Sequence, residues 1–137
     1  MTRLELQRLS QAKVDDAQLL CTNGRYGNAY YLAGYAVELG LKACVAKQIR
    51  EHQIPDKALI NGIYTHEAPK LIGLAGLSGA LKEQQDRDGL FQSYWAICAE
   101  WKPDARYVMN DAMSAELLLT AVGDPEHGVL QWIKAHW

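Results

Sequence analysis

Apolar residues recur along this chain at helical spacing, and β-branched alternation is nearly absent. Over residues 3–21, Leu6, Leu9, Ala12, Ala17, Leu19 and Leu20 share one broad face at about 100° per residue. Thr22-Asn23-Gly24 breaks that pattern, and Asn23 or Gly24 suits the left-handed conformation that ends a helix. The next apolar run predicts a second helix from about Arg25 to His52, stopping before Pro55. Two long helices joined so tightly fold back on each other as an antiparallel hairpin.

Residues 53–64, with "IPDK" and "NG", read as a loop. Thr65 is placed to cap a short helix through "HEAPKLIGLAG", with Pro69 in its first turn or just beyond. Ser78 restarts a helix that Gly89 bends or interrupts, and "LFQSYWAICAEW" offers an apolar face of Leu90, Tyr94, Ile97, Cys98 and Trp101. Pro103-Asp104 opens a helix through "ARYVMNDAMSAELLLTAV" that Gly123 closes. Asp124-Pro125 then caps and opens a last helix to about His136. The expected fold is all-α: an up-and-down antiparallel bundle of about five to six helices around two long central ones. One domain spans residues 1–137, with its core over about 5–122, a last helix over about 125–136, and the Trp132–Trp137 tail docked on the bundle or in a dimer.

The second helix carries an ordered exception to its apolar character. Asn28, Tyr31, Tyr35, Glu38 and Lys42 alternate spacings of three and four, which confines them to roughly 80° of arc. Ala29, Ala33, Ala36, Gly40, Ala43 and Cys44 form a small-residue sector, and Leu32, Val37, Leu39, Leu41 and Val45 fill much of the rest. A helix apolar on nearly every other side is central, so the stripe is not simply its solvated face. It is either structural, with Glu38–Lys42 an i,i+4 pair and the tyrosine rings buried, or it lines a cleft or dimer seam for a phosphate, base or partner side chain. On the first helix Asp16 falls inside the apolar arc, level with Tyr30 and Tyr31 across the hairpin. Asp16 is expected either to contact the Tyr31 hydroxyl or Arg25, since an unpaired buried carboxylate is costly, or to lie partly exposed at the edge of the interface.

Composition narrows the function classes. The 137 residues are 49% apolar and 22% charged, with a formal net charge of −2. The basic residues are scattered, so bulk charge does not hold this chain to nucleic acid, although a local groove or one built across a dimer is compatible. Cys21, Cys44 and Cys98 are far apart and form no CxxC pair, which suggests buried thiols in a reducing, cytoplasmic setting. The N-terminal stretch is charged throughout, and Glu38 and Lys42 make the second helix a poor membrane span.

In order, "GRYGNAYYLAGYAVELGLKA", "THEAPKLIGLAG" and "WKPDARY" resemble the HEPN family, the higher eukaryotes and prokaryotes nucleotide-binding domain. The family's Y-x-x-E-x-x-L-K-A signature is matched by Tyr35, Glu38, Leu41, Lys42 and Ala43, its His-Asp/Glu helix start by His66-Glu67, and its Trp…Arg-Tyr segment by Trp101, Arg106 and Tyr107. The resemblance spans roughly residues 5–122. It implies a small helical bundle that forms homodimers, with roles in toxin–antitoxin pairs, phage defence and RNA processing, and for some members a separate minimal nucleotidyltransferase as partner. Catalytic members are metal-independent ribonucleases built on an Arg-x(4–6)-His motif. Here that motif is missing: the positions five to seven after Arg25 are Tyr30, Tyr31 and Leu32, and after Arg106 they are Asp111, Ala112 and Met113.

The site candidates are therefore Arg25, Asn28, Tyr31, Tyr35, Glu38, Lys42, His66, Arg106 and Tyr107, as a ligand cleft or dimer seam. His66 is read as a capping or packing residue or as a general base. Arg106 and Tyr107 form either a phosphate-binding corner at a helix N-terminus or an ion pair of Arg106 with Glu38 or Asp104 beside a core Trp101. The histidines show no paired metal spacing and no glycine run forms a nucleotide loop, so no metal or cofactor is expected. The functional expectation is a HEPN-like module binding a nucleotide, RNA or a partner protein without the standard catalysis. The alternatives are a divergent ribonuclease toxin using Arg25, Tyr31, Glu38 and Arg106, and a structural partner of a nucleotidyltransferase, toxin or antitoxin.

Overall fold

The structure, a computed structural model, describes residues 1–50 and 53–137, and among them every regular element is helical. Helix α1 (Arg3–Thr22) opens with a capping box: Thr2 Oγ1 accepts from the Glu5 N–H at 3.1 Å, and Glu5 Oε2 accepts from the Thr2 N–H at 2.7 Å. It closes at Gly24, whose φ of 75° lets the Arg25 N–H reach the Leu20 carbonyl at 2.8 Å. Helix α2 (Tyr26–Ala46) then runs back along α1. Leu6 clusters with Leu39 and Ala43, the buried Ser10 hydroxyl donates to the Ala36 carbonyl at 2.6 Å, and Ala17 and Cys21 share the main core with Ala29 and Ala33. Early residues of one helix thus meet late residues of the other, as an antiparallel hairpin requires.

The buried face of α1 is narrower than the periodicity suggests. Leu6, Ser10, Ala17 and Cys21 are buried, whereas Leu19 is 63% exposed and Ala12 is also exposed. Asp16 lies roughly 110° round the helix from the centre of that arc. It is exposed and bonds to neither Tyr31 nor Arg25, so the contact does not form and the exposed alternative holds. Helix α2 ends at Ala46, earlier than expected, because Lys47–Arg50 are exposed and have no core to pack against; the expected end at His52 lies outside the described residues.

Further along, several expected boundaries move, each for a local reason. The expected loop over 53–64 contains α3 (Lys57–Gly62), capped by Asp56, whose Oδ1 accepts from the Ala58 N–H. Thr65 accepts from the Glu67 N–H ahead of α4 (Ala68–Leu74) rather than capping it, and Pro69 sits in the first turn. Helices α5 (Ser78–Arg87) and α6 (Gly89–Ala99) part at Asp88, whose carboxylate accepts from the Leu90 and Phe91 N–H groups. That register buries Phe91, Trp95 and Cys98 and leaves Leu90 exposed. The long helix expected after Pro103 is two pieces: a 3-10 turn (Pro103–Tyr107), then α7 (Ala112–Gly123) capped by Asp111 through the Ser114 N–H at 2.8 Å. Asp124 closes a turn onto the Gly128 N–H, so the last helix, α8 (Val129–Lys134), starts four residues later than Pro125.

Helix α2 is central, packed by α1, α4, α7, α8 and the 3-10 turn. Trp132 and Trp137 pack partly buried against the core. The three thiols are buried, and burial pushes those of Cys44 and Cys98 up to about 12, which leaves them unreactive at neutral pH. Among the described residues no helix is long and apolar enough to cross a membrane.

Candidate functional site

The polar stripe of α2 runs from solvent into the protein. Asn28 is exposed, Tyr31 and Tyr35 are half-buried, and Glu38 is only 3% exposed. A carboxylate that deep must be paired, and two cationic or donor groups meet it. His66 Nδ1 lies 2.7 Å from Glu38 Oε1, and Lys42 Nζ lies 3.6 Å from Glu38 Oε2. The expected i,i+4 pair is thus present, with the start of α4 added to it. His66 neither caps a helix nor packs in the core: its ring is held by Glu38 while 55% of its side chain stays exposed.

Above Glu38, Tyr31, Tyr35 and Trp101 form an aromatic cluster with centroid separations of 5.8–6.4 Å. Burial, then the nearby Glu38 charge, raises the Tyr35 phenol above its usual range. Trp101 lies flat against Gly34, where any Cβ would fall inside the indole ring. Its Nε1 is buried without a partner, the one such side-chain atom among the described residues.

Trp101 also forms part of a cleft of about 820 Å³ whose lining includes His66, Glu67, Lys70, Lys102, Asp104 and Arg106. Three cations, with His66 beside them, face two carboxylates there. Lys70 pairs with Glu67 at 2.6 Å across their exposed ends. Arg106 pairs with neither Glu38 nor Asp104. Its guanidinium instead lies 4.8 Å from the centroid of the exposed Tyr107 ring, and the phenols of Tyr107 and then Tyr31 push its pKa further up. Arg106 is therefore a permanent cation at the mouth of the cleft. The expected helix N-terminus is not there, because Arg106 and Tyr107 end the 3-10 turn rather than open a helix.

Of the expected residues, His66 and Arg106 line the cleft, Glu38 and Lys42 stand behind His66, and Tyr31, Tyr35 and Tyr107 flank Trp101 or Arg106. Arg25 and Asn28 are exposed at the other end of α2 and do not join it. Lys70 and Lys102 were missing from the expected set. Their signal was spacing: Lys70 follows His66 by one helical turn, and Lys102 precedes Pro103 in the segment that carries Arg106.

Set against known protein families, curated proteins and solved structures, the chain matches none of them. Among the described residues no group of three or more His, Cys, Asp or Glu side chains is arranged to hold a metal ion.

Proposed function

We propose that this chain is a HEPN-like helical module that binds a phosphate-bearing ligand, a nucleotide or RNA, in the cleft between α4 and the 3-10 turn. One observation carries the reading: the Glu38-held His66 shares a cleft with Lys70, Lys102 and Arg106. Cations converging from separate segments suit a phosphate backbone even on a chain of net negative charge. The cleft's own carboxylates, Glu67 and Asp104, favour a ligand that also offers hydrogen-bond donors, as ribose and bases do. The family resemblance supports the same class, a cytoplasmic setting, and a place in a toxin–antitoxin or phage-defence system.

The test is fluorescence anisotropy with labelled RNA and with nucleotides over a range of salt. Saturable binding is expected, with the salt slope for single-stranded RNA reduced by about 0.7 in Lys102→Ala. Binding unchanged in a Lys102→Ala/Arg106→Ala double variant would overturn the assignment.

A second reading, a surface for a partner protein, rests on a different region. Val108 and Met109 are exposed just before α7, and Met113 and Leu117 are exposed one turn apart on it. Apolar exposure of that kind marks interaction sites. Homodimerisation or docking to a nucleotidyltransferase or antitoxin would use it, and Met113→Glu would then disperse the assembly in analytical ultracentrifugation.

A further inference from the structure

Away from that cleft, α1, α7 and α8 enclose a second concavity of about 570 Å³. Residues one helical turn apart line it: Gln11, Asp15 and Gln18 on α1, and Glu116, Thr120 and Gly123 on α7. Such rows make an elongated groove. Its floor is Val14, Cys21, Leu119 and Leu130, the last three of them buried. Over the floor, the three carboxylates of Asp15, Glu116 and Asp124 face one lysine. That lysine, Lys134, is engaged: its Nζ donates to Gln11 Oε1 and lies 5.9 Å from the Trp137 ring centroid. The carboxylates are largely uncommitted. Asp15 and Asp124 accept through Oδ1 alone, from Gln11 Nε2 at 2.9 Å and the Glu126 N–H at 3.1 Å. Glu116 is exposed and takes part in no hydrogen bond or ion pair of its side chain among the described residues. Exposed acids alone are an ordinary solvated rim, and Cys21 sets this groove apart. Its side chain is 9% exposed on the floor, and its thiol has no hydrogen-bond partner among the described residues. Burial, then the nearby Glu116 charge, raises that thiol above its usual range. Unanswered negative charge and an unpaired sulfur thus lie over an apolar floor, which suits a cation with an apolar stem.

We propose that this groove binds a linear aliphatic polyamine, with its ammonium groups on Asp15, Glu116 and Asp124 and its methylenes on the floor. Cys21, near the end of α1, lies close to Glu116 near the start of α7, while Gln11 meets Lys134 on α8. The two helices therefore run antiparallel along the groove, with Glu116 toward one end and Asp124 toward the other. Those two residues are eight apart in sequence, about 12 Å along the helix axis. A triamine in extended form reaches both, and a short diamine does not. Ammonium–carboxylate hydrogen bonds are charge-assisted, which gives each nitrogen a specific partner. The methylenes between them cover Val14, Cys21, Leu119 and Leu130, so apolar surface leaves water on binding. A hard dication matches the charge of the rim but not the floor. This groove shares no lining residue with the cleft that holds His66, so it stands or falls by itself.

The experiment is isothermal titration calorimetry of the full chain with spermidine at about 0.15 M salt, where loosely held counterions are screened. Saturable binding of one spermidine per chain is expected, with 1,4-diaminobutane about 10-fold weaker or worse. Asp15 and Glu116 are both exposed, so Asp15→Asn/Glu116→Gln should keep the native melting temperature. That double variant should bind spermidine about 10-fold more weakly or not at all. If it melts early, the single Glu116→Gln decides, since it leaves no protein hydrogen bond unmade. Glu83→Gln/Asp86→Asn removes the same charge from α5, outside the groove, and should bind as the native chain does. The proposal is overturned by the absence of saturable heat, or by equal binding in the Asp15/Glu116 variant. It is equally overturned if 1,4-diaminobutane binds as tightly, or if magnesium at equal charge displaces spermidine, because charge alone would then account for the binding.

Discussion

Glu38 Oε1 and His66 Nδ1 are 2.7 Å apart, and this contact ties the middle of the central helix to the segment entering α4. The carboxylate is nearly inaccessible and the imidazole is not, so the two halves of the pair differ in what their removal costs. Glu38→Ala takes away the acceptor, opens space in the core, and leaves Lys42 half-buried without its i,i+4 partner. A loss of about 2–4 kcal/mol is expected from chemical denaturation. His66→Ala leaves Glu38 with Lys42 and removes a side chain more than half in water, so its loss should be smaller, about 1 kcal/mol. Equal losses from the two changes would mean that Glu38 contributes only through His66, and that neither its packing nor its pairing with Lys42 adds stability.

Trp101 is seated by the absence of a side chain at Gly34. An alanine there would put its methyl group inside the indole, so the ring must leave its place against α2. Overpacking of this kind costs about 1–3 kcal/mol. Because Trp101 also lines the cleft, Gly34→Ala should weaken ligand binding together with thermal stability. Gly73→Ala serves as the contrast, since an added Cβ meets nothing there and the melting temperature should hold or rise.

Ser10 is fully buried in the α1–α2 interface, and its hydroxyl donates to the Ala36 carbonyl at 2.6 Å. The neighbouring Gly40 position leaves an added Cβ only 3.3 Å from that hydroxyl, so the helices meet closely at this point. Ser10→Ala keeps the close approach and removes one hydrogen bond, for an expected loss of about 0.5–1.5 kcal/mol. Ser10→Leu forces the helices apart and should cost more than Ser10→Ala in the same urea titration.

The helical class, the α1–α2 hairpin and the Glu38–Lys42 pair were legible because each depends on residues a few positions apart. Periodicity and a glycine-bearing break carry that kind of information. Asp16 shows where periodicity misleads: Ala12 and Leu19 widen the apparent apolar arc although both are exposed, while the polar Ser10 is wholly buried along with Ala17. The break between α5 and α6 was expected at Gly89 and falls at Asp88, whereas the one at Asp111 was hidden because apolar spacing continues on both sides of it. At both places the signal is a single aspartate able to accept from the next turn's N–H groups. The cleft depends on a different order of information. His66 lies 28 residues from Glu38 in sequence, and only the packing of α4 on α2 brings them together. Arg106 was legible as a cation, but its freedom from Glu38 and Asp104 follows from the 3-10 turn that replaces the expected helix.

A second histidine–carboxylate pair gives the fold a pH dependence of calculable sign. His127 Nδ1, in the turn before α8, lies 2.7 Å from Asp88 Oδ2, and the same Asp88 caps α6. The bond to Asp88 raises the His127 pKa above 6.5, and the bond to His127, with the capped N–H groups, lowers the Asp88 pKa below 3.8. The histidine's contribution is fully present below its unfolded pKa of 6.5 and is lost as pH rises through the raised folded value. The aspartate's contribution is present above its unfolded pKa of 3.8 and is lost as pH falls through the lowered folded value. Both act together between those limits, so the melting-temperature gap between the native chain and His127→Gln should be widest near pH 5. It should narrow steadily toward pH 8–9, where the neutral imidazole keeps only an ordinary hydrogen bond to Asp88. A gap that widened with rising pH would show that His127 is neutral in the fold and that the Asp88 contact is not an ion pair.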